Sequence, residues 1–199
     1  MGVIGLEVYS LSLDAIGMRG ARKNDGHELR LAREMTNVWG HNVRPDNIVN
    51  CRVLHDPKHT PHDGRNPDVQ IDLVRHWAFK GIIRGLVREM RNHGIATFGH
   101  GVPLRFDATS SVCVFRVLCY CNSGRHRAPG VGQILKFATG CSAQFNSPHM
   151  LSCDSPSSSS QRHRCSCQGC TDGASPYMDH IVAARMFWEM ELRDHDFLL

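Results

Sequence analysis

The stretch VLCYCNSGRHRAPGVGQILKFA, residues 117–138, decides how the rest of the chain is read. From Phe115 to Cys121 the sequence is almost continuously apolar and rich in β-branched, aromatic and thiol side chains, the composition of a strand covered on both faces. Asn122, Ser123 and Gly124 follow, small residues whose backbone turns sharply and can present several N–H groups to one point. Val131, Ile134, Leu135 and Ala138 then recur at helical spacing, with Pro129 in the first turn, where its missing N–H costs little. Strand, turn and helix in that order predict an α/β fold, a mixed or mostly parallel sheet flanked by helices. They also predict an anion site, because peptide dipoles aligned along a helix favour negative charge at its N-terminus. Arg125, His126 and Arg127 add positive charge at that point.

Cys121 and Arg127 bracket five residues, the Cys-x5-Arg spacing of a loop that wraps a phosphate-like oxyanion. In a cysteine phosphatase the thiolate attacks phosphorus, the arginine binds equatorial oxygens bidentately, and loop N–H groups lower the thiol pKa. A cysteine that merely ends a strand before a basic turn has the same spacing. Tyr120 stands where a histidine commonly precedes the nucleophile.

At CNSGRHRA, residues 121–128, the chain resembles the C-terminal domain of the RapZ RNase adapter family, whose loop reads C-T-G-G-x-H-R-S between a strand and a helix. NIVNCRVLHDP, residues 47–57, is similar to that family's strand end D-V-R-F-L-P-N-P, with Arg52, Leu54 and Pro57 in corresponding places. The likeness covers roughly residues 1–150, with Ala128 where the family often has serine and without its nucleotide-binding N-terminal domain. It implies a domain that binds RNA and a phosphorylated sugar or similar anion without turning it over. The residues it assigns to that role are Asn122, Ser123, Gly124, Arg125, His126 and Arg127, with Arg52 and His55 beside them.

The chain carries a formal net charge of +4 and 13 histidines over 199 residues, mildly basic and compatible with nucleic acid without requiring it. That length suits one domain with a sizeable core plus a small appendage. Nine cysteines, an odd number, with no basic, apolar and small-residue leader, predict reduced thiols in an intracellular, cytoplasmic protein. No apolar run approaches the ~20 residues that span a bilayer. Leu6 breaks the myristoylation pattern that Gly2 begins, so no membrane partner is expected.

Residues 3–13, VIGLEVYSLSL, read as a first strand, and residues 25–39 as a short amphipathic helix on Leu29, Ala32, Met35 and Val38. Residues 48–54 read as a strand running into His55, Asp56, Pro57, Lys58, His59, His62 and Asp63. Loops leaving the C-terminal ends of strands gather at one sheet edge, so this ionisable loop and the Cys121 loop are expected to share a crevice. Asp56 and Asp63 are the nearby acids for a leaving group, and no known metal spacing links the loop's histidines and aspartates. Residues 68–93 carry a long helical pattern, with Asp68 and Gly94 as caps and Gly81 and Gly85 as points of bending or breakage. Arg84, Arg88 and Arg91 recur at one-turn spacing, either as a solvated face or as a track for a phosphate backbone. Residues 95–111 read as a connecting loop, and 142–151 as a last short strand before the serine run at 155–160.

The expected organisation is an α/β domain over 1–151, a Ser-rich linker and Cys-rich segment over 152–176, and a C-terminal helix over 177–199. In this small Cys-rich appendage His163, Cys165, Cys167 and Cys170 form H-x-C-x-C-x-x-C, with Cys153 upstream. Thiolates and imidazole at such spacings are favoured tetrahedral zinc ligands, and a segment too small to bury a core gains stability from coordination. One zinc ion is expected on Cys165, Cys167 and Cys170, with His163 or Cys153 as the fourth ligand; free thiols in a tail are the alternative. The final helix, with Ile181, Ala184, Phe187, Trp188 and Met190 on one stripe, is expected to pack on the core or on a second copy in a homo-oligomer.

Two functions are consistent with these residues, beside a third reading as an unrelated structural protein with a fortuitous anion pocket. One is non-catalytic binding of RNA or a phosphorylated metabolite through the Cys-x5-Arg loop, with no organic cofactor. The other is a cysteine-dependent phosphatase with Cys121 as nucleophile, Arg127 as phosphate clamp and Asp56 as the acid.

Overall fold

A computed structural model describes residues 1–14, 16–18, 27–56, 62–146 and 165–198. Its centre is a six-stranded sheet in which the pairings are parallel throughout. β1 (Gly2–Ser12) lies in the middle, with β4 (Val114–Cys121) along one edge from Gly5 to Ser12. Two short strands divide its other edge: β3 (Leu104–Phe106) pairs with Gly2–Ile4, and β5 (Ser142–Asn146) with Glu7–Leu11. β2 (Asn47–Asn50) extends the sheet beyond β4, and β6 (Phe197–Leu198) extends it beyond β3.

The alternation of β1 and β4 explains why both faces are covered. Ile4, Leu6 and Val8 join Phe115, Val117, Cys119 and Cys121 in the larger core. The intervening side chains Tyr9, Leu11 and Leu13 join Leu118 and Tyr120 under α1 (His27–Trp39). Within α1 the buried residues are Leu31 and Met35, while Leu29 and Val38 of the expected stripe are exposed. The larger face carries α2 (Pro67–Arg75), α3 (Trp77–Phe98), α4 (Arg127–Thr139) and α6 (Asp179–Asp194). Ile181, Ala184, Trp188 and Leu192 of α6 belong to that same core, and fully burying each large apolar side chain contributes about 1.5–3 kcal/mol. The five residues of α5 (Gln168–Asp172) lie just ahead of α6.

Several boundaries differ from the sequence expectation for local reasons. The long helix over 68–93 is two helices broken at His76, which is extended and whose Nδ1 accepts the Ala78 N–H at 3.2 Å. Gly81 and Gly85 sit inside α3 with open space where a Cβ would be, so neither is needed for the break. Asn66, not Asp68, caps α2, its Oδ1 accepting the Asp68 N–H at 2.9 Å. α3 runs on through Gly94, where an added Cβ would meet Ile4 Cδ1 at 2.4 Å, and ends at Gly99. The connecting stretch after it contains β3. The strand expected to reach Leu54 ends at Asn50, because the Asn50 Oδ1 accepts the Arg52 N–H at 3.1 Å and starts a 3-10 turn over Cys51–Val53. The basic stripe of α3 is ion-paired: Arg84 with Glu191 at 3.1 Å, Arg88 with Glu89 at 3.0 Å and Arg91 with Asp196 at 3.5 Å. Among the described residues no helix is long and apolar enough to cross a membrane.

Candidate functional site

β4 delivers Cys121 to the C-terminal edge of the sheet, Gly124 turns the chain with φ 64°, and α4 begins at Arg127. A side chain at Gly124 would strain that left-handed backbone. The N–H groups of Gly124 and Ala128 point at the Cys121 sulfur, Ala128 N at 3.5 Å. Cys121 is 1 % exposed, and burial pushes its thiol pKa up to about 11 despite those N–H groups and Arg127. At pH 7 such a thiol is ionised in roughly one molecule in 10,000, the opposite of an activated nucleophile.

The two loops expected to share a crevice do meet. Asp56, after β2, places Oδ2 3.0 Å from Arg127 Nη2 and Oδ1 3.1 Å from His126 Nδ1. Arg127 therefore does not reach back over the Asn122–Gly124 turn; its Nη1 donates to the carbonyls of Arg52 at 3.3 Å and Leu54 at 3.4 Å. A guanidinium buried to this degree needs a charged partner, and Asp56 supplies it. His126 is 5 % exposed and holds the His62 carbonyl with Nε2 at 2.9 Å. Both of its neighbours are acceptors, so imidazolium satisfies both; burial opposes that charge and keeps the ring pKa below the ordinary histidine value. Arg125 Nε donates to the same carbonyl at 3.1 Å. Arg52 lies over the Tyr120 ring, 5.5 Å from its centroid, and His55 is exposed.

His62 also faces the other way. Its Nδ1 is 3.2 Å from Cys167 Sγ and 3.8 Å from both Cys165 Sγ and Cys170 Sγ, and the four ligand atoms lie within 4.8 Å of one another. A tetrahedral centre with bonds of about 2.3 Å to sulfur and 2.0–2.1 Å to nitrogen separates S from N by roughly 3.5 Å, within that spread. The cluster can hold a metal ion, and its fourth ligand comes from a loop 103 residues before Cys165. No family model matches the chain, and no curated protein matches it.

The surroundings of the cluster suit a metal. Cys167 is the N-cap residue of α5, where the Cys170 N–H donates to its carbonyl at 3.1 Å, and that nearby N–H, first among the causes, lowers the thiol pKa to about 7. Cys170 is buried, and desolvation pushes its thiol the other way, to about 12. Around them, Asn66 Nδ2 reaches Cys170 Sγ at 3.6 Å and Cys167 Sγ at 3.9 Å, and Arg65 Nη2 holds the Cys165 carbonyl at 2.9 Å. Arg65 is in turn clamped bidentately on the buried Asp63, at 2.9 and 2.7 Å. Asp63 thus orients an arginine. Hydrogen bonds to the ligand sulfurs and to the backbone that carries them fix the orientation of the ligands.

His163 and Cys153, expected as alternatives for the fourth ligand, lie outside the described residues. His62 was visible in the sequence only as one member of an ionisable loop, and no local spacing could pair it with cysteines in a different segment.

Proposed function

We propose that the protein is a non-catalytic binding domain for a phosphoryl group, carried by RNA or by a phosphorylated small molecule, with a zinc ion at His62, Cys165, Cys167 and Cys170. Three thiolates and one imidazole are a donor set that selects zinc over hard divalent cations, and four protein ligands leave no open position for chemistry. The observation that supports the anion reading most is the grip on Asp56. Arg127 and His126 already hold an oxyanion, 3.0 and 3.1 Å from its two oxygens. A phosphoryl group entering the crevice offers the same donors more oxygens and more charge. In this reading Asp56 holds the donors in place until the ligand displaces its carboxylate.

Titration with inorganic phosphate and with a short RNA at fixed salt tests this. Loss of a charge-assisted hydrogen bond of about 1.5–3 kcal/mol should weaken binding roughly 10- to 100-fold in Arg127→Ala. Arg125→Ala should lose no more than a few-fold, and Asp56→Asn, which removes the competing carboxylate, should bind phosphate more tightly than wild type. Equal losses from the two arginine substitutions would reduce the site to diffuse charge. The phosphatase reading requires Cys121, buried and with its pKa raised to about 11, to attack phosphorus; aryl phosphate hydrolysis abolished by Cys121→Ser would restore it.

A further inference from the structure

The ring of His62 belongs to the metal cluster, while its backbone carbonyl belongs to the basic loop. We propose that His62 is a positioning residue that joins the two, so that zinc and a phosphoryl ligand strengthen each other's binding. The inference rests on the phosphate reading given above. The His62 carbonyl receives His126 Nε2 at 2.9 Å and Arg125 Nε at 3.1 Å. Two residues on, the Gly64 N–H donates to the Arg125 carbonyl at 2.7 Å. Gly64 lies so close to the start of α4 that a Cβ there would sit 2.4 Å from Gly130 N and 2.6 Å from the His126 carbonyl oxygen. The segment therefore docks flush on the loop, backbone against backbone.

On the metal side the same segment is held by its ring and by its neighbours. Asn66 reaches two of the sulfurs, and Gln70, fully buried, donates through Nε2 to the Gly64 carbonyl at 2.9 Å. From the metal ligand the bonds continue without a gap: His62 to His126, His126 to Asp56, Asp56 to Arg127. A cation on the four ligands fixes the His62 ring, and with it the carbonyl that aims Arg125 and His126. A bound cation would replace the 3.2–3.8 Å contacts between thiols and imidazole with shorter metal–ligand bonds and so hold the ring more firmly. Coupling between two binding sites is reciprocal by thermodynamic necessity.

The experiment measures the zinc dissociation constant of the folded full chain by chelator competition, without phosphate and with saturating inorganic phosphate, zinc being kept stoichiometric with protein. The phosphate dissociation constant is measured on zinc-loaded and chelator-stripped protein, with circular dichroism confirming that the stripped form is folded. Both affinities should rise about five-fold or more in the presence of the other ligand, by the same factor. His62→Ala, which keeps the carbonyl and loses the ring, should weaken zinc binding and abolish the mutual effect while phosphate still binds. If stripped protein unfolds, cobalt(II) replaces zinc, and phosphate should perturb the cobalt–thiolate absorption of the folded protein. Phosphate binding with identical constants in both metal states, or an unmoved cobalt spectrum at saturating phosphate, overturns the coupling and leaves the phosphate reading standing. Absence of phosphate binding in every form removes that reading, and the coupling with it.

Discussion

Chelating the metal, or replacing Cys170 with serine, should lower the melting temperature by roughly 8 to 16 °C. Of residues 165–178, which lead into α6, Cys170 and Ala174 are the buried ones. α5 is five residues long, and Cys170 is the one buried residue in it. Its attachments to the rest of the fold include the Arg65 bond to the Cys165 carbonyl and the two contacts of Asn66 with sulfur. A ligand present at a thousand times its dissociation constant stabilises the state that binds it by about 4 kcal/mol. For a chain of this length each kcal/mol corresponds to roughly 2–4 °C, which gives the expected range. Cys170→Ser should lose more than Cys165→Ser, because Cys170 is buried and also receives the Asp63 N–H. Calorimetry with and without chelator checks this, and a melting temperature that ignores the chelator would contradict it.

The second large effect lies at Asp56. Removing one partner from a buried ion pair costs about 3–5 kcal/mol, because the remaining charge stays buried. Side-chain exposures of 21 % for Asp56 and 10 % for Arg127 admit some solvent, which reduces the expected cost of Asp56→Ala to about 2–4 kcal/mol. Arg127→Ala should cost a similar amount, with the carbonyls of Arg52 and Leu54 also losing their donor. The double variant should be clearly less destabilised than the sum of the two, since each single change removes the same pair. Additive losses in urea unfolding would mean that the contact contributes no coupling.

Much of the fold was legible because β1 and β4 declare themselves. An apolar run buried on both faces, followed by small residues and a helical pattern, permits few arrangements other than a layered α/β sheet, and the all-parallel sheet is the simplest of these. The short elements were not legible for a physical reason: three residues of β3 and two of β6 are too few to show a period of two. The break at His76 depends on a ring nitrogen accepting one N–H, a signal that sequence pattern does not carry. The same contrast holds in the site. The three C-terminal cysteines announced themselves by spacing, and the basic loop by its context. His62 became a candidate ligand only when the chain brought a distant loop to the cysteines, and the role of Gly64 became apparent only from the space that a Cβ would need there.

X-ray absorption at the zinc edge, on purified wild-type protein and on His62→Ala, tests the assignment of the metal centre most directly. One zinc per chain is expected, with three sulfurs at about 2.3 Å and one nitrogen at about 2.0–2.1 Å, the nitrogen disappearing in His62→Ala. A centre of four sulfurs, a nitrogen that survives the substitution, or protein that takes up no zinc under reducing conditions would contradict it.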